Sequence, residues 1–452
     1  MKTPFLLLVW LCLFSNQVQA QAWQQQNPNF SSSTFIQEVV APTSSAAWAY
    51  GFVYDSTGNF TYRNYSVSRT ADGGESWQNL AFPHTEPGYF SNLSALSAEV
   101  AWLAYVDYAN GQKILNTTDG GQSWTEQSHG MTAWINFVHF FDNAAGLAMG
   151  DPDAQGFGLF TSSNGGAFWE RVAPANVPPP LSGEFGWASF YEVSDNKVWF
   201  ETNQGRVYFS PNQGHSWEVF EGPLGTQPYS MFAADDAGMC YMSYVAAEPN
   251  GLNPVLTLYR TPDNGLSWEN ITPTDNGWWI YDIEPVPGTG AIVAEFNRGF
   301  ASRIFETRLS YDQGTTWQTI DAGAFVTTMD FSGPDAGFAA GWQPIADTSH
   351  VDVYRYTGSP LTGLFERKPL NVNFSAYPNP ASDFIRVQLE SPEEQEWLLL
   401  LNDANGRLLY KEVIEKTNHW NTTLGLQPLP TGWYTLTVST AKGVATRKVL
   451  KR

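Results

Sequence analysis

The sequence predicts an all-β chain: a closed ring of short-stranded sheets followed by a small antiparallel β-sandwich. Three observations carry that expectation. A turn motif ending in Trp recurs six times at nearly even spacing, aromatic residues make up 15% of the chain beside 39 Gly and 28 Pro, and the last eighty or so residues change in charge and pattern. Many short strands joined by tight turns need this mixture of flat, β-favouring side chains and turn formers.

The repeat reads Ser/Thr-x-Asp-x-Gly-x-Ser/Thr-Trp. Its copies are Thr70-Ala-Asp72-Gly-Gly74-Glu-Ser76-Trp77, Thr117-Thr-Asp119-Gly-Gly121-Gln-Ser123-Trp124, Ser162-Ser-Asn164-Gly-Gly166-Ala-Phe168-Trp169, Ser210-Pro-Asn212-Gln-Gly214-His-Ser216-Trp217, Thr261-Pro-Asp263-Asn-Gly265-Leu-Ser267-Trp268 and Ser310-Tyr-Asp312-Gln-Gly314-Thr-Thr316-Trp317. Successive Trp residues lie 47, 45, 48, 51 and 49 apart. A period of about 48 residues is one four-stranded blade of a β-propeller. In such a turn the Asp oxygen accepts bonds from the backbone, the Gly supplies a positive φ and the Trp covers the hairpin. Asn164 and Asn212 keep the acceptor oxygen and drop the charge. A turn tolerates that exchange, whereas a metal ligand or catalytic acid does not, so the motif is scaffold.

Counting the copies against the period exposes a missing one. Residues Met329 to Gly341 begin a seventh blade, yet no motif stands near residue 365. The segment Ala22-Trp23-Gln-Gln-Gln instead copies the strands that follow the motif, such as Trp77-Gln-Asn-Leu and Trp317-Gln-Thr-Ile. Residues 21–359 are therefore expected to form a seven-bladed β-propeller closed by an N-terminal strand, with six or eight blades as the alternatives. Closure of this kind removes two exposed sheet edges.

The motif resembles the Asp-box, or bacterial neuraminidase (BNR) repeat, of sialidases, sortilin-type receptors, xyloglucanases and photosystem assembly factors, over roughly residues 21–365. The resemblance implies the propeller and leaves activity open, because these families differ in function.

The ends of the chain concern delivery. Lys2, the apolar run Phe5 to Phe14 and Val18-Gln19-Ala20 read as a signal peptide over residues 1–20, with Gln21 as the new N-terminus. Cys12 lies inside that run behind a bulky Leu11, a poor lipoprotein site, and its removal leaves Cys240 alone, so no disulfide framework is expected within one chain. No other stretch reaches the eighteen apolar residues of a membrane helix. The formal net charge is −21. Residues 21–371 hold 36 acidic and 13 basic residues, net −23, against 8 acidic and 9 basic in residues 372–452. An acidic body repels phosphate backbones and anionic membrane surfaces, so neither nucleic-acid binding nor membrane insertion is expected.

Residues 360–371 read as a linker, and residues 372–452 as a small Ig-like β-sandwich. Tyr377-Pro378-Asn379-Pro380, the turn ending at Gly406, Leu429-Pro-Thr-Gly432-Trp-Tyr434 and the Lys-Val-Leu-Lys-Arg ending resemble, in order, the C-terminal sorting domain of the type IX secretion system in Bacteroidetes. That resemblance implies the type IX machinery as partner, passage through the periplasm, and release or cell-surface attachment, usually with loss of the domain. An Ig-like module that stays attached is the alternative.

Chemistry is less legible. The six His show no metal-ligand spacing, and Asp151-Pro-Asp153-Ala-Gln-Gly156 lacks the later ligands of a calcium loop, so neither a metal nor a cofactor is expected. A sialidase needs an arginine trio and a Tyr–Glu pair. Its Phe-Arg-Ile-Pro segment is absent, and Arg298, Arg303 and Arg308 crowd one blade. Glu184, Asp235, Asp236, Asp282 and Glu284 fall near inner-strand ends and are candidates for a glycoside hydrolase using paired carboxylates, with solvated loop acids as the competing reading. Phe90, Trp134, Trp187, Tyr229 and Trp278 each stand three residues ahead of an apolar or aromatic residue (Leu93, Phe137, Phe190, Phe232 and Tyr281). These rings are expected around the funnel mouth, as contacts for a glycan or an extracellular protein; packing between blades competes with that role. A non-catalytic binding propeller is the leading expectation and a glycoside hydrolase the alternative.

Overall fold

The computed structural model describes residues 22–452 except for 31–33, 55–59, 82–87, 128, 132, 224, 226–229, 236–237, 248–253, 275–276, 299–303, 343–350, 362–371, 404–407 and 441–442. The signal-peptide expectation for residues 1–20, most of the linker, and Tyr229, Asp236, Arg303 and Gly406 thus lie outside the described residues.

Among the described residues there are seven four-stranded antiparallel sheets and one of five strands. Six of the seven take their strands consecutively from the chain. Their first strands are Thr34–Thr43, Gly88–Ala95, Ile135–Phe140, Gly186–Ser194, Ser230–Ala234 and Trp278–Pro285, and the seventh sheet begins with Thr328–Gly333. These seven strands contact one another in cyclic order, the seventh meeting the first, so the sheets form a ring about a central channel.

The seventh sheet is completed from the other end of the chain. Trp23–Gln26 pairs with Val351–Tyr356, Trp23 opposite Tyr356 and Gln26 opposite Val353. Trp23 is fully buried, its ring 5.9 Å from Phe331 and 5.6 Å from Tyr356. Polar bonds carry the strand into the sixth sheet as well. Asp321 Oδ2 accepts the Ala22 and Trp23 amides at 2.7 and 3.1 Å, and the Trp23 indole donates to Thr307 Oγ1 at 2.9 Å. Thr307 donates in turn to the buried Glu295 at 2.8 Å.

The repeated turn works as its residue types require. Thr70 Oγ1 accepts the Gly74 amide at 2.9 Å, and Asp72 accepts the Ser76 amide at 2.9 Å and the Ser76 hydroxyl at 2.5 Å. Asp119, Asp263 and Asp312 repeat the arrangement. Asn164 and Asn212 still accept the amide four residues on, each at 2.9 Å. Only the hydroxyl bond changes: Asn212 Nδ2 donates to Ser216 Oγ at 3.0 Å, and Phe168 occupies the hydroxyl's place with 65% of its surface exposed. Glycine is needed behind the acid, where Gly74 sits at φ 89°.

The C-terminal unit departs from two separate sheets. Asn373–Tyr377, Phe384–Asn402, Leu408–Gly425, Gly432–Thr440 and Gly443–Lys451 share one hydrogen-bonded sheet. Its two long strands slip register between Glu390 and Trp397 yet keep their pairing on either side. The halves wrap one core that includes Ile385, Leu389, Leu399, Leu401, Leu436 and Val438. A parallel bridge from Ala381 to Lys451 joins the margins. The sorting motif makes that junction: Asn379 accepts the Leu450 amide at 2.9 Å and donates to Lys448 O at 2.7 Å. Tyr434, two residues after Gly432 opens its strand, is buried and donates to Pro430 O at 2.5 Å.

Trp23→Ala removes the one large side chain of the closing strand and leaves a cavity between the sixth and seventh sheets. A cost of about 3–5 kcal/mol in the full chain is expected. Denaturant unfolding of the two proteins measures it, and an unchanged midpoint would show that the ring does not need this strand.

Candidate functional site

Four of the first strands share an irregularity that re-aims polar groups. Their register slips between Ile36 and Glu38, Phe90 and Asn92, Ile135 and Phe137, and Ile280 and Asp282. An extra residue re-aims its neighbours. Gln37 donates to Phe90 O at 3.5 Å and Ser91 to Ile135 O at 2.6 Å, each reaching the next sheet.

In the fourth sheet the slip becomes a plug. Gly186 pairs with Thr202 and Tyr191 with Phe200, so residues 187–190 stand opposite Glu201 alone. The surplus reaches across the channel. The Ser189 hydroxyl bonds to Ser91 O in the second sheet and, at 3.3 Å, to Glu38 and Tyr50 in the first. Asn92 donates to Tyr191 Oη at 3.1 Å. Ser189 pays for this reach with φ 62°, a left-handed conformation rarely taken by a residue with a Cβ.

Against this plug lies a cavity of about 400 Å³. Five carboxylates line it, from Glu38 in the first sheet, Glu192 in the fourth, Asp282 and Glu284 in the sixth and Asp330 in the seventh. Phe190, Tyr191, Phe232, Tyr281 and His139 line it too, and among the described residues its lining holds no Lys or Arg. Burial pushes Glu38 and Asp282 up to about 7 and Asp330 up to about 6. Burial also raises Glu192 and Glu284 well above the carboxylate range, reinforced by repulsion from Asp282 and Asp330. Acids sharing a desolvated space titrate as a group and do not all ionise at neutral pH. His139, pushed down to about 4 by burial, supplies no counter-charge.

The five differ in their partners. Asp282 accepts the Met329 amide at 2.6 Å, and Asp330 the Ala41 amide at 2.6 Å, sealing the junctions between sheets six and seven and between seven and one. Asn92 does the same between sheets two and three, accepting the Val138 amide at 2.8 Å and donating to its carbonyl at 3.0 Å. Glu38 is hydrogen-bonded by Tyr50. Burial and the charges of neighbouring acids alone act on Glu192, with no hydrogen bond from the described residues.

Of the expected acids, the structure brings Asp282 and Glu284 into the cavity. Glu184 is instead buried in an ion pair with Arg206, Nε to Oε1 2.9 Å, and Asp235 accepts the Met239 amide of its own turn at 2.8 Å. The expected ring of aromatics needs correction. Phe90 is fully buried and stacked on Tyr50 at 4.6 Å, and Trp278 is buried under the Arg308 guanidinium at 4.1 Å, so both pack between strands. Trp134 and Trp187 are half-buried just before and within their first strands. Trp134 lies 5.5 Å from Tyr89 and 6.5 Å from Tyr108, itself 52% exposed, while Trp187 meets Phe185 at 5.1 Å. Glu38, Glu192 and Asp330 were not singled out by the sequence reasoning. Their signal is an acid set inside an apolar inner strand, as in Met329-Asp330-Phe331.

The Tyr50–Glu38 pair has the residue types of a sialidase nucleophile, but Tyr50 is fully buried and no arginine of the described residues lines the cavity. Among the described residues no three His, Cys, Asp or Glu converge closely enough to hold a metal ion.

Comparison with known proteins fits this architecture. Residues 375–452 match the family described as "Secretion system C-terminal sorting domain", and this type IX tail marks the protein for export to the cell surface or extracellular space. No curated protein matches the chain. Among solved structures, YCF48 bound to D1 peptide is similar at 17% identity and TM-score 0.53, over 75% of this chain and 96% of that one. YCF48 from Cyanidioschyzon merolae is similar at 15% and 0.50, over 74% and 98%. At these identities the likeness is one of fold, that of a β-propeller. The GH74 enzyme of Niastella koreensis, at 14% identity and TM-score 0.47 over 95% of this chain and 67% of that one, is too distant to carry an argument.

The cavity makes the ring sensitive to alkali. Glu38, Asp282 and Asp330 have folded-state values raised above the ordinary carboxylate range, so the stability they contribute is full below about pH 4 and is lost as pH rises through 6 to 7. The turn acids Asp72 and Asp119, held down to about 2 by their hydrogen bonds, act only at much lower pH. Thermal unfolding at fixed ionic strength should therefore show a Tm falling by several degrees from pH 5 to pH 8. Asp282→Asn should flatten that slope; a Tm that rises over the interval contradicts the assignment.

Proposed function

We propose that the chain is an exported, non-catalytic binding protein. In this reading it is a seven-bladed Asp-box β-propeller closed by its N-terminal strand. A signal peptide at 1–20 and an Ig-like type IX sorting domain at 372–452 deliver it. It holds part of a glycan or an extracellular protein at the plugged end of its channel. The observation that carries the reading is the cavity against residues 187–190, lined by Phe190, Phe232 and Tyr281 beside its acids, since a concave site with a few convergent polar groups is where ligands bind. YCF48, of similar fold, is a solved example that holds a peptide.

Binding of immobilised full chain to panels of polysaccharides and peptides tests it. In this reading the half-buried Trp134 and Trp187, at the opening of their first strands, add an aromatic rim beyond the cavity, so a Trp134→Ala/Trp187→Ala variant should bind its best ligand at least tenfold more weakly. Equal binding by both proteins removes the proposed rim.

A second reading, glycoside hydrolysis, is favoured by one observation. Glu38 and Asp282, both near 7, face one cavity, and half-protonated carboxylates are what acid–base hydrolysis uses. It requires release of reducing sugar that Glu38→Gln abolishes. A broad polysaccharide panel without turnover rules it out.

For delivery, deletion of residues 372–452 should leave the protein in the periplasm. Fractionation measures this, and normal export of the truncated chain would overturn the sorting role.

A further inference from the structure

We propose that the plugged cavity receives one organic cation, the ammonium or guanidinium group of a lysine or arginine side chain on an extracellular peptide. The inference rests on the binding reading above and names the chemistry of its ligand.

The lining is matched to such a group. A cavity of about 400 Å³ far exceeds the room for a bare ion, and it admits the end of a long side chain. Its five carboxylates come from four different sheets, and among the described residues no three ligating groups converge on a point, which suits a distributed organic cation and not a metal. The rings of Phe190, Phe232 and Tyr281 add apolar and π-faces, the usual companions of carboxylates around an ammonium or guanidinium.

The scaffold does not need this charge. Asn92 seals its junction with a neutral amide, making the backbone bonds that Asp282 and Asp330 make with a carboxylate. The negative charges at 282 and 330 are therefore surplus to the architecture. Glu192 is clearer still, because it faces the cavity without a hydrogen bond to the described protein. Desolvated, mutually repelling acids cost stability unless something positive joins them. An entering cation would stabilise the ionised forms, so protons leave as it binds.

The proposal is tested by titration calorimetry of the full chain at pH 7, in two buffers of different ionisation enthalpy. The probes are a tripeptide with a central lysine, its arginine and acetyl-lysine counterparts, spermidine, and calcium. The lysine or arginine peptide should bind with net proton release, the acetyl-lysine peptide at least tenfold more weakly, and binding should weaken as pH falls to 5. Glu192→Gln should reduce affinity at least tenfold, while Glu126→Gln, in an outer strand, leaves it unchanged. Unfolding midpoints of both variants check that they are folded; removing a repelled charge should leave Glu192→Gln at least as stable as the parent. Binding of spermidine alone keeps the organic cation and assigns it to a free polyamine. Calcium binding alone, equal affinity for the acetylated peptide, no binding of any cationic probe at millimolar concentration, or indifference to Glu192→Gln each overturns it. If a neutral oligosaccharide binds instead, this inference fails while the binding function stands.

Discussion

Pairing of residues 23–26 with the last strand of the seventh sheet is the constraint on which the rest of the ring depends. Without it the seventh sheet keeps three strands and an unpaired edge at Val351–Tyr356, and the two ends of the ring are no longer tied through one sheet. Apolar burial of Trp23 supplies part of the closing energy, about 2–3 kcal/mol. The direction comes from Asp321, which accepts two successive amides of the strand. With the ring closed, each first strand is clamped between two neighbours, and the channel becomes a place where polar groups are held without water in excess.

That confinement explains why the irregularities sit where they do. A first strand cannot widen the ring, so an extra residue has to turn inward or reach to the next sheet. Gln37 and Ser91 reach to the next sheet. Residues 187–190 are too many to be absorbed that way and extend across the channel to Ser91 and Glu38. The plug and the cavity are two consequences of one insertion. The strained backbone of Ser189 is held by those cross-channel bonds.

Much of the ring was legible because its signals are local. Each turn needs an acceptor, a glycine and a hydroxyl at fixed offsets, and Asn164 and Asn212 show that the acceptor and not the charge is what the backbone reads. The closing strand was legible for the same reason, since Trp23 copies the residue that follows each turn. The site was legible only in part. Asp282 and Glu284 stand out from their place near a strand end, but Glu38, Glu192 and Asp330 face the same cavity from three other sheets, Glu38 and Asp330 being 292 residues apart, and nothing local marks that convergence. Aromatic spacing misled at Phe90 and Trp278, because a ring three residues ahead of another packs equally well between strands as at a mouth. The C-terminal strands alternated as expected, while their continuity through the bend depends on pairing that alternation does not encode.

The acid cluster and the closure belong to one argument. Mutual repulsion among Glu38, Glu192, Glu284, Asp282 and Asp330 pushes outward on the first, fourth, sixth and seventh sheets, against the inward pull of the junction bonds. At the sixth–seventh and seventh–first junctions the pulling group is itself one of the acids, Asp282 or Asp330. Ionisation strengthens each acid's hold on its backbone amide while raising its repulsion from the others, so charge enters the balance with both signs. Closure by Trp23 in the seventh sheet lets the balance be struck inside a ring that cannot spring open. A neutral amide at either position would relieve the repulsion and keep the bond, as Asn92 does. The ring therefore carries a negative potential in its channel that its own construction does not require.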